Sequence, residues 1–338
     1  MLTSKNIDQL FEQFNKLNVM VIGDVMVDAY IWGTVDRICP EAPVPIVTVK
    51  QRENRLGGAA NVGLNLKALG ANPILCSVIG NDQKGVAFKQ LILDAGMSTE
   101  GLISDENRIT TTKFRIIGNQ HQMLRVDEET TEPLDDLQFE LLNKRILRLF
   151  VDKEIHVVIF QDYDKGVITP QLIEKVITEA RRRKIPVAVD PKKRNFLDYK
   201  KATLFKPNIK EVKEGLGVNF DPHDNEQLEM VVAQLQDKLQ AKMVLNTLSE
   251  LGVFISWEEQ GMYESQLIPA HRRNITDVSG AGDTVISVAA LCLALDTEPR
   301  IMAAIANLAG GLVCEEVGVV PINKEKLRIE VAKMMGAN

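Results

Sequence analysis

A chain of 338 residues, 45% hydrophobic and 25% charged, is long enough to enclose one large core or a core with a smaller appendage. Its net charge of -6 arises from interspersed charges, and the one compact basic run, Arg181-Arg182-Arg183-Lys184, ends a helical pattern where cations suit the helix dipole. Nucleic acid is therefore disfavoured as a main partner, because phosphate-backbone binding wants a basic face. No segment reaches the roughly 18 consecutive apolar residues of a membrane span, and the N-terminus has no signal-peptide-like apolar run, so the expectation is a cytoplasmic protein without membrane contact.

In chain order, Val19-Met20-Val21-Ile22 reads as a buried strand, followed by a helix over 59–69, a strand over 74–79 and a helix over 84–95. Val157 to Phe160 is the next strand, then a helix from Pro170 to Lys184 and strands at 187–189 and 243–246. Helical patterns dominate 281–295, 301–316 and 324–335. Apolar strands alternating with helices predict an α/β fold, a mostly parallel sheet covered by helices on both faces. Two stretches, about 28–50 and 107–127, read as β without an intervening helix, the second with a Gly118-Asn119 turn. They predict a small β-sheet lid on a single domain spanning 1–338, folded over the carboxyl ends of the main strands, where ligands bind in open α/β sheets. The four cysteines show no CxxC spacing, and the four histidines form no ligand pattern.

Asp277-Val278-Ser279-Gly280-Ala281-Gly282-Asp283 opens an apolar helix with small residues. Unpaired N–H groups and the positive end of the helix dipole converge there, which makes an anion site. Asp283 beside that site is either an N-cap or a group that accepts a proton from a nucleophile. Gly57-Gly58-Ala59-Ala60-Asn61 is a second glycine-opened helix, where backbone can approach a ligand and Asn61 offers a donor and an acceptor. Gly23-Asp24-Val25-Met26-Val27-Asp28 follows the first strand without a G-x-G-x-x-G fingerprint; Asp24 and Asp28 suit sugar hydroxyls or turn capping. Gly80-Asn81-Asp82-Gln83-Lys84-Gly85 has the glycine spacing of a Walker A loop, but Val86 stands where Lys is required. Asn208 and Glu211, three apart at a helix start, suit a hydrated Mg²⁺ with nucleotide phosphates, or a capping box. Lys192 after Asp190-Pro191, with Arg108, Lys113, Arg115 and Arg125 in the lid stretch, could neutralise a substrate phosphate.

As an ordered set these motifs resemble the ribokinase-like, or PfkB, carbohydrate kinases over essentially the whole chain. Gly23-Asp24-Val25-Met26-Val27-Asp28, Arg37-Ile38-Cys39-Pro40-Glu41-Ala42-Pro43-Val44-Pro45 and Asp162-Tyr163-Asp164-Lys165-Gly166 are similar, more narrowly, to the family's heptose 7-phosphate kinases. The resemblance implies an ATP- and Mg²⁺-dependent enzyme that phosphorylates D-glycero-D-manno-heptose 7-phosphate at the anomeric oxygen for ADP-heptose and lipopolysaccharide synthesis. It implies Asp283 as catalytic base, Gly280, Ala281 and Gly282 as the anion hole, and Asn208 and Glu211 as contacts to Mg²⁺ through water. Thr247, Gly252 and Asn307 would contact the nucleotide, and Asp24, Asp28, Gly57, Gly58, Asn61, Arg125 and Lys192 the sugar phosphate. It further implies a homodimer paired through the lid and a separate adenylyltransferase acting downstream, since no His-x-x-His adenylyltransferase segment follows. Ser279 in place of the commoner Thr, and the segment 307–313 in place of an Ala-rich helix, depart from the family pattern. A kinase of another sugar or nucleoside, or a non-catalytic sugar-phosphate sensor, are the rival readings.

Overall fold

A computed structural model describes residues 4–271 and 273–336. After helix α1 (Ser4–Gln13) the chain runs through strands β1 (Asn18–Gly23), β2 (Val25–Ile38) and β3 (Pro45–Gly58) into α2 (Ala59–Ala68). β4 (Asn72–Gly80), α3 (Gln83–Asp94) and β5 (Leu102–Asp105) precede a hairpin of β6 (Thr112–Gly118) and β7 (His121–Glu128). Next come α4 (Asp136–Asp152), β8 (Val157–Gln161), α5 (Pro170–Arg182), β9 (Val187–Asp190), β10 (Leu204–Phe205), α6 (Ile209–Leu216) and α7 (Asn225–Leu239). The chain closes with β11 (Met243–Thr247), β12 (Val253–Glu259), β13 (Met262–Ile268), α8 (Ala281–Ala294), α9 (Pro299–Val313) and α10 (Lys324–Met334).

Nine strands form one sheet in the order β13-β12-β11-β10-β9-β8-β1-β4-β5, and β3-β2-β6-β7 form a second sheet. Every pairing from β5 to β11 is parallel, and β12 and β13 add an antiparallel edge. Because both faces of the large sheet are covered, its central strands are continuous apolar runs whose side chains alternate between two cores. Val19, Val21, Val157 and Ile159 face the core built with α2, α8 and α9. Met20, Ile22, Val158 and Phe160 face the core built with α4, α5 and α7. Helix α8, Ala-Gly-Asp-Thr-Val-Ile-Ser-Val-Ala-Ala-Leu-Cys-Leu-Ala, is apolar around its circumference because it is buried from Asp283 to Leu293.

The chain leaves β1 toward β4 on one side and places β8 on the other, which makes the carboxyl ends of β1 and β8 the switch point where α/β sheets bind ligands. Gly23, Gln161 and Asp190 lie in register there as the last residues of β1, β8 and β9. Gly23 must be glycine, since a Cβ would collide with the Gln161 carbonyl. The small sheet springs from the same point: only Asp24 separates β1 from β2, and β3 runs directly into α2.

The alternating pattern gave the parallel elements, but α4, α7 and the β12–β13 hairpin went unread in the sequence. Helix α4 carries a full signature, an Asp135–Gln138 capping box and seven buried residues, whereas β13 exposes nearly all its side chains and so offers no alternation to read.

Candidate active site

Asp283 is the third residue of α8 and is 7% exposed at the switch point. The first bond of the helix runs from the Thr284 N–H to the Gly280 carbonyl at 3.1 Å, so the N–H groups of Gly282 and Asp283 emerge from the helix end. Gly280 has φ of 80°, the left-handed conformation that turns the chain into the helix. Asp283 does not cap its helix; its carboxylate collects donors from across the molecule. Asn61 Nδ2 donates to Oδ2 at 2.6 Å, while Tyr163 Oη at 2.8 Å and Gln161 Nε2 at 3.1 Å donate to Oδ1. Burial raises its pKa to about 6, Asp190 adds to that, and Asn61, Tyr163 and Lys206 oppose it. A carboxyl held there is a competent proton acceptor near neutrality.

Asp190 and Lys206 complete the floor. Gln161 Nε2 also donates to Asp190 Oδ2 at 3.2 Å, and Lys206 Nζ, 3% exposed, pairs with Asp190 Oδ1 at 3.0 Å. A Cβ on Gly282 would meet Lys206 Nζ at 3.6 Å, so a buried cation stands beside the open helix end. Sequence reading assigned no role to Gln161, Tyr163, Asp190 or Lys206. Their signal was present: each is a polar residue at or just past the end of an apolar parallel strand.

A cleft of about 800 Å³ opens from this floor. Gly280, Ala281, Gly282, Asp283, Asn208, Glu211, Thr247, Gly252, Asn307 and Lys192 all line it. Asn208 caps α6: its side chain accepts from the Glu211 N–H at 2.9 Å, and Glu211 Oε2 accepts from the Asn208 N–H at 2.8 Å. Glu211 Oε1 is ion-paired with Lys192. The capping box therefore forms, and it holds the Glu211 carboxylate at the cleft wall. Asn307 Nδ2 donates to the Pro269 carbonyl at 2.9 Å, and Thr247 N–H to the Pro207 carbonyl at 3.0 Å, fixing both residues to the loops that frame the cleft. Among the described residues no group of three or more His, Cys, Asp or Glu side chains could cage a metal ion. One carboxylate and one amide at the wall fit a cation that keeps most of its waters and takes phosphate oxygens as ligands.

The other side of Asp283 faces the small sheet. Asp28 on β2 is ion-paired with Arg115 on β6, and a Cβ on Gly57 would come within 2.6 Å of Asp28 Oδ2. Gly58, at φ of 60°, passes so close to Asp24 that a side chain would collide with the Asp24 carbonyl. These glycines bring β2 and β3 together just before Asn61 reaches Asp283.

Three residues expected to contact the sugar phosphate have other partners in the structure. Asp24 is 1% exposed, and its carboxylate accepts the N–H groups of Tyr163 at 2.9 Å, Lys165 at 3.1 Å and Val167 at 3.0 Å. It is a buried loop anchor. Arg125 lies on the edge strand β7, half-exposed, bound to Asp127 at 2.9 Å; Arg115 is the small-sheet cation that reaches Asp28. Lys192 stands on the Asn208–Glu211 side of the cleft, its ammonium 5.8 Å from the Tyr163 ring centre.

The sequence pattern of the pfkB family carbohydrate kinases matches residues 16–326. The bifunctional protein HldE of Desulfatibacillum aliphaticivorans is 37% identical over 321 residues, 94% of this chain and 64% of that protein. Its namesake from Methylobacillus flagellatus is 38% identical over 319 residues, with the same two coverages, so the chain spans less than two thirds of these relatives. Phosphofructokinase-2 from Escherichia coli in complex with potassium superposes with a TM-score of 0.76 at 16% identity, covering 94% of this chain and 99% of that one. Arabidopsis thaliana ribokinase complexed with ribose and ATP gives 0.69 at 17% identity with the same coverages. The architecture is thus ribokinase-like, and no helix among the described residues is long and apolar enough to cross a membrane. With both glycine-opened helices converging on one buried carboxylate inside the matched region, the chain belongs to the pfkB family of carbohydrate kinases.

Proposed function

We propose that the chain transfers the γ-phosphoryl group of ATP to the anomeric oxygen of D-glycero-D-manno-heptose 7-phosphate, giving the 1,7-bisphosphate for ADP-heptose and lipopolysaccharide core synthesis. The observation that carries this reading is the 2.6 Å bond between Asn61 and Asp283, which joins the two signature segments across 222 residues at the floor of the cleft. The heptose assignment rests on the HldE relatives and on the motifs 23–28, 37–45 and 162–166.

Phosphoryl transfer asks for in-line positioning and charge neutralisation more than covalent chemistry. Asp283 accepts the proton of the acceptor hydroxyl. The Gly282 and Asp283 N–H groups at the Gly280–Gly282 helix opening and the Lys206 ammonium would face the three equatorial oxygens of the moving group, where preorganised donors act most strongly. Thr247, Gly252 and Asn307 frame the nucleotide, and Asp28, Gly57, Gly58 and Asn61 the sugar. Asn208 and Glu211 would hold Mg²⁺ through water, and the ion would supply neutralisation of nucleotide phosphate charge. The small sheet closes over the acceptor and excludes water, and its exposed Met123, Leu124 and Val126 suit pairing with a second copy.

The test is ADP release by wild-type protein and Asp283→Asn with heptose 7-phosphate, fructose 6-phosphate, ribose and adenosine. Turnover that is greatest with the heptose phosphate and falls at least about 100-fold in Asp283→Asn, with ATP binding retained, supports the proposal. Near-normal turnover in the variant removes Asp283 as the base, and preference for another acceptor removes the substrate.

A further inference from the structure

The oxygens of Asp283 are unequally occupied, and the loop that makes them so is built with care. Oδ1 holds two donors, Tyr163 Oη at 2.8 Å and Gln161 Nε2 at 3.1 Å; Oδ2 holds one, Asn61 Nδ2 at 2.6 Å. A carboxylate offers about two acceptor positions per oxygen, so Oδ1 is full and Oδ2 has one left. Beside it, Asn61 Oδ1 is buried without a hydrogen-bond partner, an oxygen that a hydroxylated molecule would satisfy.

Building on the reading of Asp283 as the base, we infer that Tyr163 is a positioning residue that saturates Oδ1 and so leaves Oδ2 as the oxygen that takes the acceptor proton. The acceptor O–H bond breaks onto Oδ2, the new O–P bond forms, and the P–O bond to the ADP leaving group breaks; the proton stays on Oδ2 until product departs. Tyr163 is placed for this from three sides. Its N–H is held by Asp24, its ring lies under the Lys192 ammonium at 5.8 Å, and its hydroxyl points at the base. The same loop is tied to the small sheet where Lys165 meets Glu129 at 2.7 Å, and Glu129 also meets Lys113 at 3.6 Å.

The charged and titratable groups facing Asp283 are Asp190 from β9, Lys206 beyond β10, Lys192 and Tyr163 itself. Among these Tyr163 alone donates directly to the carboxylate, so its removal leaves the ionised form less well solvated.

The experiment measures kcat against pH for wild-type protein, Tyr163→Phe and protein carrying 3-fluorotyrosine at position 163, a stronger donor of the same shape. Tyr163→Phe is expected to lower kcat by about tenfold and move the acid limb to higher pH, with KM for ATP unchanged within about twofold. The fluorinated protein is expected to move the limb the other way with kcat retained. Limbs that coincide in all three proteins, or a fluorinated protein that shifts in the same direction as Tyr163→Phe, overturn the inference. If Asp283→Asn retains wild-type turnover, the base assignment has failed instead; an inactive Asp283→Asn with an unshifted Tyr163→Phe limb defeats this inference alone.

Discussion

Replacing Gly282 with alanine separates the anion site from the fold. Gly282 is the second residue of α8 and its φ is not positive, so alanine adopts its conformation freely. The nearest atoms to a new Cβ are Lys206 Nζ at 3.6 Å and Asp190 Oδ2 at 3.9 Å, both ordinary contacts. Alanine in a helix is favoured over glycine by up to about 1 kcal/mol, less so in the first turn, so the urea midpoint is expected to hold or rise slightly. Turnover is expected to fall about 100-fold, because the methyl stands between Lys206 and the helix end where phosphoryl oxygens must approach the N–H groups. Gly280→Ala gives the contrast. There φ is 80° and the Cβ would press on Asn61 Nδ2 and Val319 at 3.1 Å, so a loss of roughly 1–2 kcal/mol of stability accompanies the loss of turnover. The assay is ADP release with saturating acceptor alongside urea unfolding of both variants. Turnover of Gly282→Ala within about threefold of wild type would refute close approach of a phosphate at this point.

Removing Glu211 as Glu211→Gln keeps one face of the capping box, since an amide oxygen still accepts from the Asn208 N–H; the magnesium concentration for half-maximal turnover is expected to rise several-fold, and an unchanged magnesium titration would sever this residue from the cation. Arg115→Ala strips Asp28 of its partner and is expected to raise KM for the acceptor about tenfold, whereas Arg125→Ala, whose pair with Asp127 is half-exposed, stays within about twofold. Equal effects of the two, read from acceptor saturation curves, would contradict the placement of Asp28 in the site. Burial raises Asp24 from 3.8 to about 6, with Asp162 adding to it. A raised carboxyl contributes stability below its unfolded pKa that is lost as pH rises through the folded one, here about 3 kcal/mol between pH 4 and pH 7. The urea midpoint measured from pH 5 to 7.5 is expected to fall less steeply in Asp24→Asn than in wild type; equal slopes would show that Asp24 is not buried as a charge.

How much of this was legible in the sequence depended on the kind of interaction involved. The parallel strands were readable because burial on both faces writes unbroken apolar runs such as Val157 to Phe160. The two glycine-opened helices were readable because glycine immediately before a helix leaves a local pattern. What was not legible was which residues share a lone pair. Asp24 and Asp28 look alike four residues apart, yet one faces three N–H groups of a loop far along the chain and the other faces Arg115. Arg115 and Arg125 lie opposite each other on β6 and β7, and strand order, which puts β6 rather than β7 beside β2, decides which reaches Asp28. Lys206 and Gln161 acquire their setting from strand order, a long-range property.

The crossing of Asp24 and Gly58 has a mechanical consequence. There the two strands of the small sheet leave the body together, with the Ala59 N–H bound to the Asp24 carbonyl at 2.9 Å and no room for a side chain between them. That makes the crossing a fulcrum. At about 3.3 Å per residue, Asp28 lies some 13 Å out along β2 and Ile38 about 46 Å out. A 10° swing of the arm would move Asp28 by about 2 Å and the tip by about 8 Å, on the same strand geometry. Displacements imposed at the far end would therefore arrive at the Asp28 carboxylate reduced about 3.5-fold on the same strand geometry, which converts coarse motion of an exposed ribbon into fine adjustment at Asp28.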